Sequence, residues 1–228
     1  MALGKEKDGG NYISFKPSIG RLAIKSDSSD PEAKPRTYKD SKTNEDVTVY
    51  EQRYQYISGK IVGLEVDTAG EYGAQLKVVI RDESSAGNPT DYVFPVALNK
   101  SWGTKVAEAL AGAKLDDEVL FTAYGDFTTD DGKEVQAGVS VKQGGEKLGS
   151  HFNIKVGDKW ELKENYPAFP DASTIPDKTK NPAKYTKFWS DHYFTISEFL
   201  ADWYTKNLTI EYVPVTKEEK IEAEEVAF

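Results

Sequence analysis

The chain has 228 residues, a formal net charge of -9 and no cysteine. Its hydrophobic share of 38%, charged share of 29% and mean hydropathy of -0.60 describe a globular chain with polar loops. No apolar run approaches the ~20 residues of a membrane helix, neither a disulfide scaffold nor a thiolate metal site can be built, and the opening MALGKEKDGGNY lacks the apolar stretch of a secretory signal, so a cytoplasmic location is expected.

Residues 1–11 read as disordered. From Tyr12 the pattern is β-prone, with Ile13, Phe15, Ile19, Leu22 and Ile24 forming a short pair around Pro17 to Gly20. Residues 26–46 are polar, hold two prolines and read as a long exposed loop. Residues 47–66 read as one long strand in which Gly59 and Gly63 mark bulges or sharp bends. Residues 70–73 make a turn. In residues 74–81, Leu76, Val78 and Ile80 share one face, and Gln75, Lys77 and Arg81 the other. After a polar loop at 84–88, residues 91–98 form a third strand, and Pro95 confines it to an edge or a bulge.

Ser101 reads as an N-cap for a helix over 102–111, with Val106, Ala109 and Leu110 on its buried face. A fourth strand over 118–127 turns at the Asp-Gly of residues 131–132 into a fifth over 135–142, with Ala137, Val139 and Val141 inward. Three strands, a helix, then two strands is the order of a five-stranded OB-fold barrel, expected over residues 12–150 together with the N-terminal hairpin. Residues 143–185 read as irregular, with a short strand pair around 152–162. Thr195 to Glu198 has the pattern of a capping box ahead of a helix over 196–206, with Ile196, Phe199, Leu200 and Trp203 as its apolar stripe. That helix belongs to an extension over 151–216, which closes on a short strand at Leu208, Ile210 and Tyr212. No internal repeat is evident.

Enzyme signals are weak. His151 and His192 are the only histidines, and no metalloprotease, nucleophile-elbow or phosphate-loop motif is present. Ser190-Asp191-His192 looks like a triad, but a triad is a spatial arrangement. Asp126, Asp130 and Asp131 suit a hairpin turn without a metal. No cofactor is expected, and the chain reads as a non-enzyme.

Binding signals are stronger. A groove for single strands needs aromatic platforms for bases and cations for phosphates. Tyr54, Tyr56 and Lys60 share one parity of the first long strand, opposite Ile57 and Ile61. Lys77 and Arg81 point outward from the second strand. Tyr92 and Phe94 share a face of the third, and Tyr124 and Thr122 a face of the fourth. Lys142 adds a further cation. The pI near 4.9 counts against a broadly basic footprint. Residues 217–228 (KEEKIEAEEVAF) carry two Lys and five Glu, a net -3, so -9 less -3 leaves -6 for the remainder. Any nucleic-acid site is therefore a local stripe. The last stretch itself reads as a solvated tether, with Glu222, Glu224 and Glu225 steering a partner and Phe228 anchoring it.

The segments FKPSIGRL (15–22), YEQRYQYISGKIVGL (50–64) and GVSVKQGGEKL (138–148), with the acidic tail reaching Phe228, resemble phage single-stranded DNA-binding proteins of the OB-fold kind. The resemblance implies a protein that coats single-stranded DNA in replication and recombination without strong sequence preference, and a tail that recruits replication or recombination proteins. It also places the chain in a bacterial host's cytoplasm. Residues 151–215 carry no part of it. A β-rich virion or carbohydrate-binding module is the alternative in another class; a hydrolase stands lower, for want of a nucleophile–base pair.

Overall fold

A computed structural model describes residues 11–40, 42–69, 73–83, 89–157 and 159–214. In chain order the strands are β1 (Asn11–Lys16), β2 (Arg21–Ser26), β3 (Lys34–Lys39), β4 (Asp46–Tyr54), β5 (Tyr56–Asp67), β6 (Gln75–Asp82) and β7 (Thr90–Ala97). Helix α1 (Ser101–Leu110) comes next, then β8 (Val119–Tyr124), β9 (Phe127–Thr128), β10 (Glu134–Val135), β11 (Gly138–Gln143), β12 (Glu146–Lys147), β13 (Asn153–Val156), β14 (Lys159–Leu162) and helix α2 (Pro182–Asn207).

The chain is mainly β, but it is not the expected five-stranded barrel. Among the described residues, ten strands form one curled sheet in the order β12-β11-β8-β5-β6-β7-β1-β2-β4-β3, and β9-β10 and β13-β14 are separate hairpins. From β6 onward the expected order of strand, strand, helix, strand, strand recurs as β6, β7, α1, β8 and β11, but the tips of the expected strands over 118–127 and 135–142 break off as the β9-β10 hairpin, and a five-stranded barrel has no place for the strands that lie beyond β7 in the sheet. There β1 pairs with β7 in parallel, and β1, β2, β4 and β3 extend the sheet as a four-stranded wing.

Two sequence expectations hid that wing. Residues 47–66 are two strands, β4 and β5, broken at Gln55, whose carbonyl accepts from Ala123 N at 2.8 Å. The halves then part: β4 joins β2 and β3, while β5 joins β6 and β8. The expected exposed loop over 26–46 contains β3, an exposed strand at the end of the sheet whose polar residues give no alternation to read. Asn11, assigned to a disordered start, opens β1. The expectations for residues 1–10, for the turn at 70–72 and for the loop at 84–88 lie outside the described residues.

The interior arises from period-two alternation. Leu76, Val78 and Ile80 of β6 are fully buried, as are Phe94 and Val96 of β7 and Phe121 of β8. The rings of Phe94 and Phe121 meet at 5.7 Å across the curl, and Phe15 of β1 meets Trp102 of α1 at 5.1 Å. β5 bends as its glycines suggest. Its register against β6 shifts between Ile61 and Gly63, and a Cβ at Gly59 would lie 2.2 Å from the Arg81 carbonyl oxygen. Pro95 lies within β7 beyond the point where the ladder to β1 ends, so its missing N–H costs no bond on that side.

The helices differ from their expected starts. Lys100 is the N-cap of α1, with no side-chain cap, and Ser101 is the first helical residue. α2 begins at Pro182, well before Thr195. Asn181 caps it by accepting from Lys184 N at 3.1 Å, and a proline at the first helical position supplies a φ already suited to the turn. Thr195 sits mid-helix, its hydroxyl bonded to the Asp191 carbonyl. The buried stripe of α2 is Ile196, Leu200 and Tyr204, with Phe199 and Trp203 beside it. Tyr204 donates to the Ala107 carbonyl of α1 at 2.6 Å, and Phe152 stacks on Tyr166 at 5.2 Å against the same helix pair. The expected last strand is a single bridge, Leu64 to Ile210.

Candidate functional site

The curl leaves an open cleft of about 500 Å3 where the wing meets β5, β6 and β7. Its walls include Ile13, Leu22 and Ile24 from the wing, Tyr54 at the end of β4, and Tyr56 to Lys60 along β5. Arg81, Asp82 and Glu83, Tyr92 of β7, and Glu118 ahead of β8 complete it.

Tyr54 reaches the cleft because Leu22 lies opposite it in an unbroken register, so both side chains stand on the inner face of the wing. Its hydroxyl donates to Gln52 Oε1, and Gln52 Nε2 donates to Asp30 Oδ2 at 2.6 Å, a relay that fixes the ring. Burial pushes the phenol up from its ordinary value, with the nearby Tyr92, Glu32 and Asp30 adding to the rise. Tyr92 is pushed up by burial and by Asp82. Both rings are therefore neutral platforms at neutral pH. Tyr54 is 39% exposed and Tyr56 62%, so a ligand in the cleft can reach both rings.

The structure brings together five of the nine residues expected to contact nucleic acid: Tyr54, Tyr56, Lys60, Arg81 and Tyr92. The other four lie elsewhere. Phe94 is fully buried between Trp102 and Phe121; it shares a face with Tyr92, but that face turns into the core one residue pair further on. Lys77 lies on the outer face of β6, in a hollow with Tyr12, Glu65 and Tyr212. Tyr124 packs against Gly138, where a Cβ would lie 2.5 Å from its hydroxyl, and edge-on to Phe127. Lys142 lines a separate hollow with Lys114, Asp117 and Lys147. Glu222, Glu224, Glu225 and Phe228 lie outside the described residues.

Three of the four expected cations are already engaged. Lys60 pairs with Glu83 at 3.1 Å and Lys77 with Asp67 at 2.8 Å. Arg81 grips Asp91 with two nitrogens at 2.7 and 2.8 Å, and Tyr212 donates to the same carboxylate. The cleft thus sets two cations, Lys60 and Arg81, against three carboxylates, Asp82, Glu83 and Glu118. It offers rings and hydrogen-bonding groups, with no surplus of positive charge. Period-two reading found the rings; it missed Gln52, two residues before Tyr54 on β4, and Asp30 and Glu118, which reach the site from connecting segments.

The other chemical signals resolve into local structure. Asp191 is held by Lys187 at 2.9 Å, and His192 packs on Trp189 and Phe169, its basicity lowered by burial. Asp131 pairs with Lys133 at 2.6 Å, and Asp126 accepts from Ala137 N at 2.6 Å. Among the described residues no three His, Asp or Glu side chains cluster as metal ligands, and no helix is long and apolar enough to cross a membrane.

No protein family, curated protein or solved structure matches the chain.

Proposed function

We propose that this protein binds single-stranded DNA without strong sequence preference, stacking bases on Tyr54, Tyr56 and Tyr92. The observation that carries the proposal is the convergence of three tyrosines, from three strands, on one open cleft. Stacking on an aromatic side chain contributes ~1–3 kcal/mol per base and tolerates any base, because each has a π-face. The corresponding role is coating and protection of exposed strands in phage replication and recombination, a binding role with no catalytic step. Recruitment of replication or recombination proteins by residues 217–228 belongs to the same reading.

Fluorescence anisotropy with labelled oligo-dT and a duplex of equal length tests it. Tight binding of the single strand and weak binding of the duplex is the expected result. Equal affinities, or no binding at low salt, would overturn it.

One observation favours a second reading. Asp82, Glu83 and Glu118 share the cleft with the tyrosines. A sugar ring that stacks on tyrosine also offers hydroxyl donors to carboxylates, as a phosphate does not. An oligosaccharide that displaces oligo-dT, or binds where oligo-dT does not, would mark a carbohydrate-binding module.

A further inference from the structure

The outer face of the wing gathers charge that is scattered in the sequence. The registers are unbroken: Lys16 lies opposite Arg21, Ala23 opposite Arg53, Lys25 opposite Glu51, Glu51 opposite Lys34, and Val49 opposite Arg36. Successive side chains of a strand alternate between faces. Lys16, Arg21, Lys25, Lys34, Arg36 and Arg53 therefore share one face, turned away from the buried Ile13, Phe15 and Leu22.

One carboxylate stands among these six cations. Glu51 is only 3% exposed and lies beneath Lys16, at 3.4 Å, and Arg36, at 2.9 Å. Lys25 and Lys34 flank it on the neighbouring strands and are exposed, with no ion pair among the described residues. Of the wing's other acids, Glu32 and Glu45 are exposed in the loops before β3 and β4, and four are engaged away from this face. Asp30 is bonded to Ser26 and Gln52 on the cleft side, Asp46 pairs with Lys39, and Asp27 and Asp40 accept from backbone N–H groups in turns. Two exposed rings border the cations. Tyr12 is 57% exposed and Tyr38 39%, with the Arg36 guanidinium 4.8 Å from the Tyr38 ring centre.

We propose that this face carries the sugar–phosphate backbone of a single-stranded nucleic acid, as a second contact surface on the side of the wing opposite the tyrosine cleft. The proposal rests on the reading of the ligand as single-stranded DNA. Charge complementarity requires a polyanion, because one buried carboxylate leaves most of the positive charge unmatched. The flanking rings select a ligand with bases: an acidic peptide would use the cations and leave Tyr12 and Tyr38 idle, whereas cations flanked by aromatic platforms suit an unpaired strand. This also divides the labour. The cleft, with its cations engaged, supplies stacking, and the outer face supplies the phosphate contacts.

The test is anisotropy of labelled oligo-dT against the full chain over a range of salt, with Lys25→Gln/Lys34→Gln, Lys25→Glu/Lys34→Glu and Tyr56→Ala. Each phosphate neutralised on a single strand contributes about -0.7 to the slope of log affinity against log salt. The double Gln variant should lower the magnitude of the slope by about 1.4 and weaken binding on the order of tenfold at low salt. The double Glu variant should weaken it further. Tyr56→Ala should weaken binding with the slope unchanged. Both lysines are exposed, so the melting curves of their variants should match that of the parent. Parental slope and affinity in both lysine variants, with oligo-dT still bound, would overturn the proposal and leave the cleft reading standing. If the unmutated chain fails to bind oligo-dT at low salt, both fall. A labelled polyglutamate peptide whose binding needs Lys25 and Lys34, while oligo-dT binding does not, would assign the face to an acidic protein segment and overturn the proposal.

Discussion

Gly20 and Gly125 meet backbone to backbone: a Cβ built on Gly20 would lie 2.2 Å from the Gly125 nitrogen. Gly20 closes the turn between β1 and β2, and Gly125 comes directly after β8. These strands are not neighbours in the sheet, so the curl is drawn together here by close approach, with no ladder joining β2 to β8. Gly20 also has φ +59, the left-handed region.

Gly20→Ala should therefore be costly on two counts. The left-handed conformation alone costs about 1–2 kcal/mol with a side chain, and the collision with Gly125 adds to it. Gly125→Ala is the control, since a Cβ there finds its nearest neighbour at 3.8 Å, an ordinary contact. Urea unfolding should show a loss of roughly 2 kcal/mol or more for the first and a small change for the second. Equal losses would mean that the approach of the two turns does not matter.

Tyr56 and Phe94 separate binding from stability. Tyr56→Ala should weaken oligo-dT binding by ~1–3 kcal/mol with the circular dichroism melt unchanged, because the ring is exposed. Phe94→Ala should cost about 3–5 kcal/mol of stability through the cavity it opens. If Tyr56→Ala melts early and binds normally, the ring serves the fold alone.

Tyr204 pins α2 to α1 through its hydroxyl on the Ala107 carbonyl. Tyr204→Phe keeps the ring and removes the donor. A buried hydrogen bond contributes about 0.5–1.5 kcal/mol, so a loss in that range is expected by urea unfolding, with oligo-dT affinity unchanged. A drop in affinity at full stability would instead connect the helix pair to the site.

Glu108 of α1 makes the fold sensitive to pH. Burial holds its carboxyl above the ordinary value of 4.5, against the opposing pull of hydrogen bonds from Tyr166 and Ser150 and the charge of Lys105. The native chain thus keeps a proton that the unfolded chain releases. Stability falls as pH climbs from 4.5 through the raised native value, then levels once both states are ionised. Glu108→Gln removes this fall, so its melting temperature should gain on the parent between pH 4.5 and neutrality. Thermal melts across that range decide it, and a constant difference would show that the carboxyl does not titrate within it.

The sequence was legible where one residue fixes one local outcome. Leu76, Val78 and Ile80 alternate into the core as read, and Tyr54 and Tyr56 are exposed as expected. Partner choice between distant strands was not legible. Nothing in β1 announces a parallel pairing with β7, and one bend at Gln55 sends β4 and β5 to different parts of the sheet. The same limit concealed the basic face. Lys25, Lys34 and Arg36 look unremarkable along the chain and become neighbours only through the β2-β4-β3 registers. The start of α2 was readable in principle at Asn181-Pro182, but the polar, aromatic turns after it gave no apolar stripe.

The sheet terminates in β3 at one end and in the two-residue β12 at the other. A bare strand edge is a template for another chain, and β3 is poorly suited to serve as one. Pro35 supplies no N–H, and Lys34, Arg36 and Lys39 would face the same positive charges on any second copy paired along it. β12 is too short to seed a ladder. Copies of this chain brought close together are therefore hindered from fusing sheet to sheet at either end.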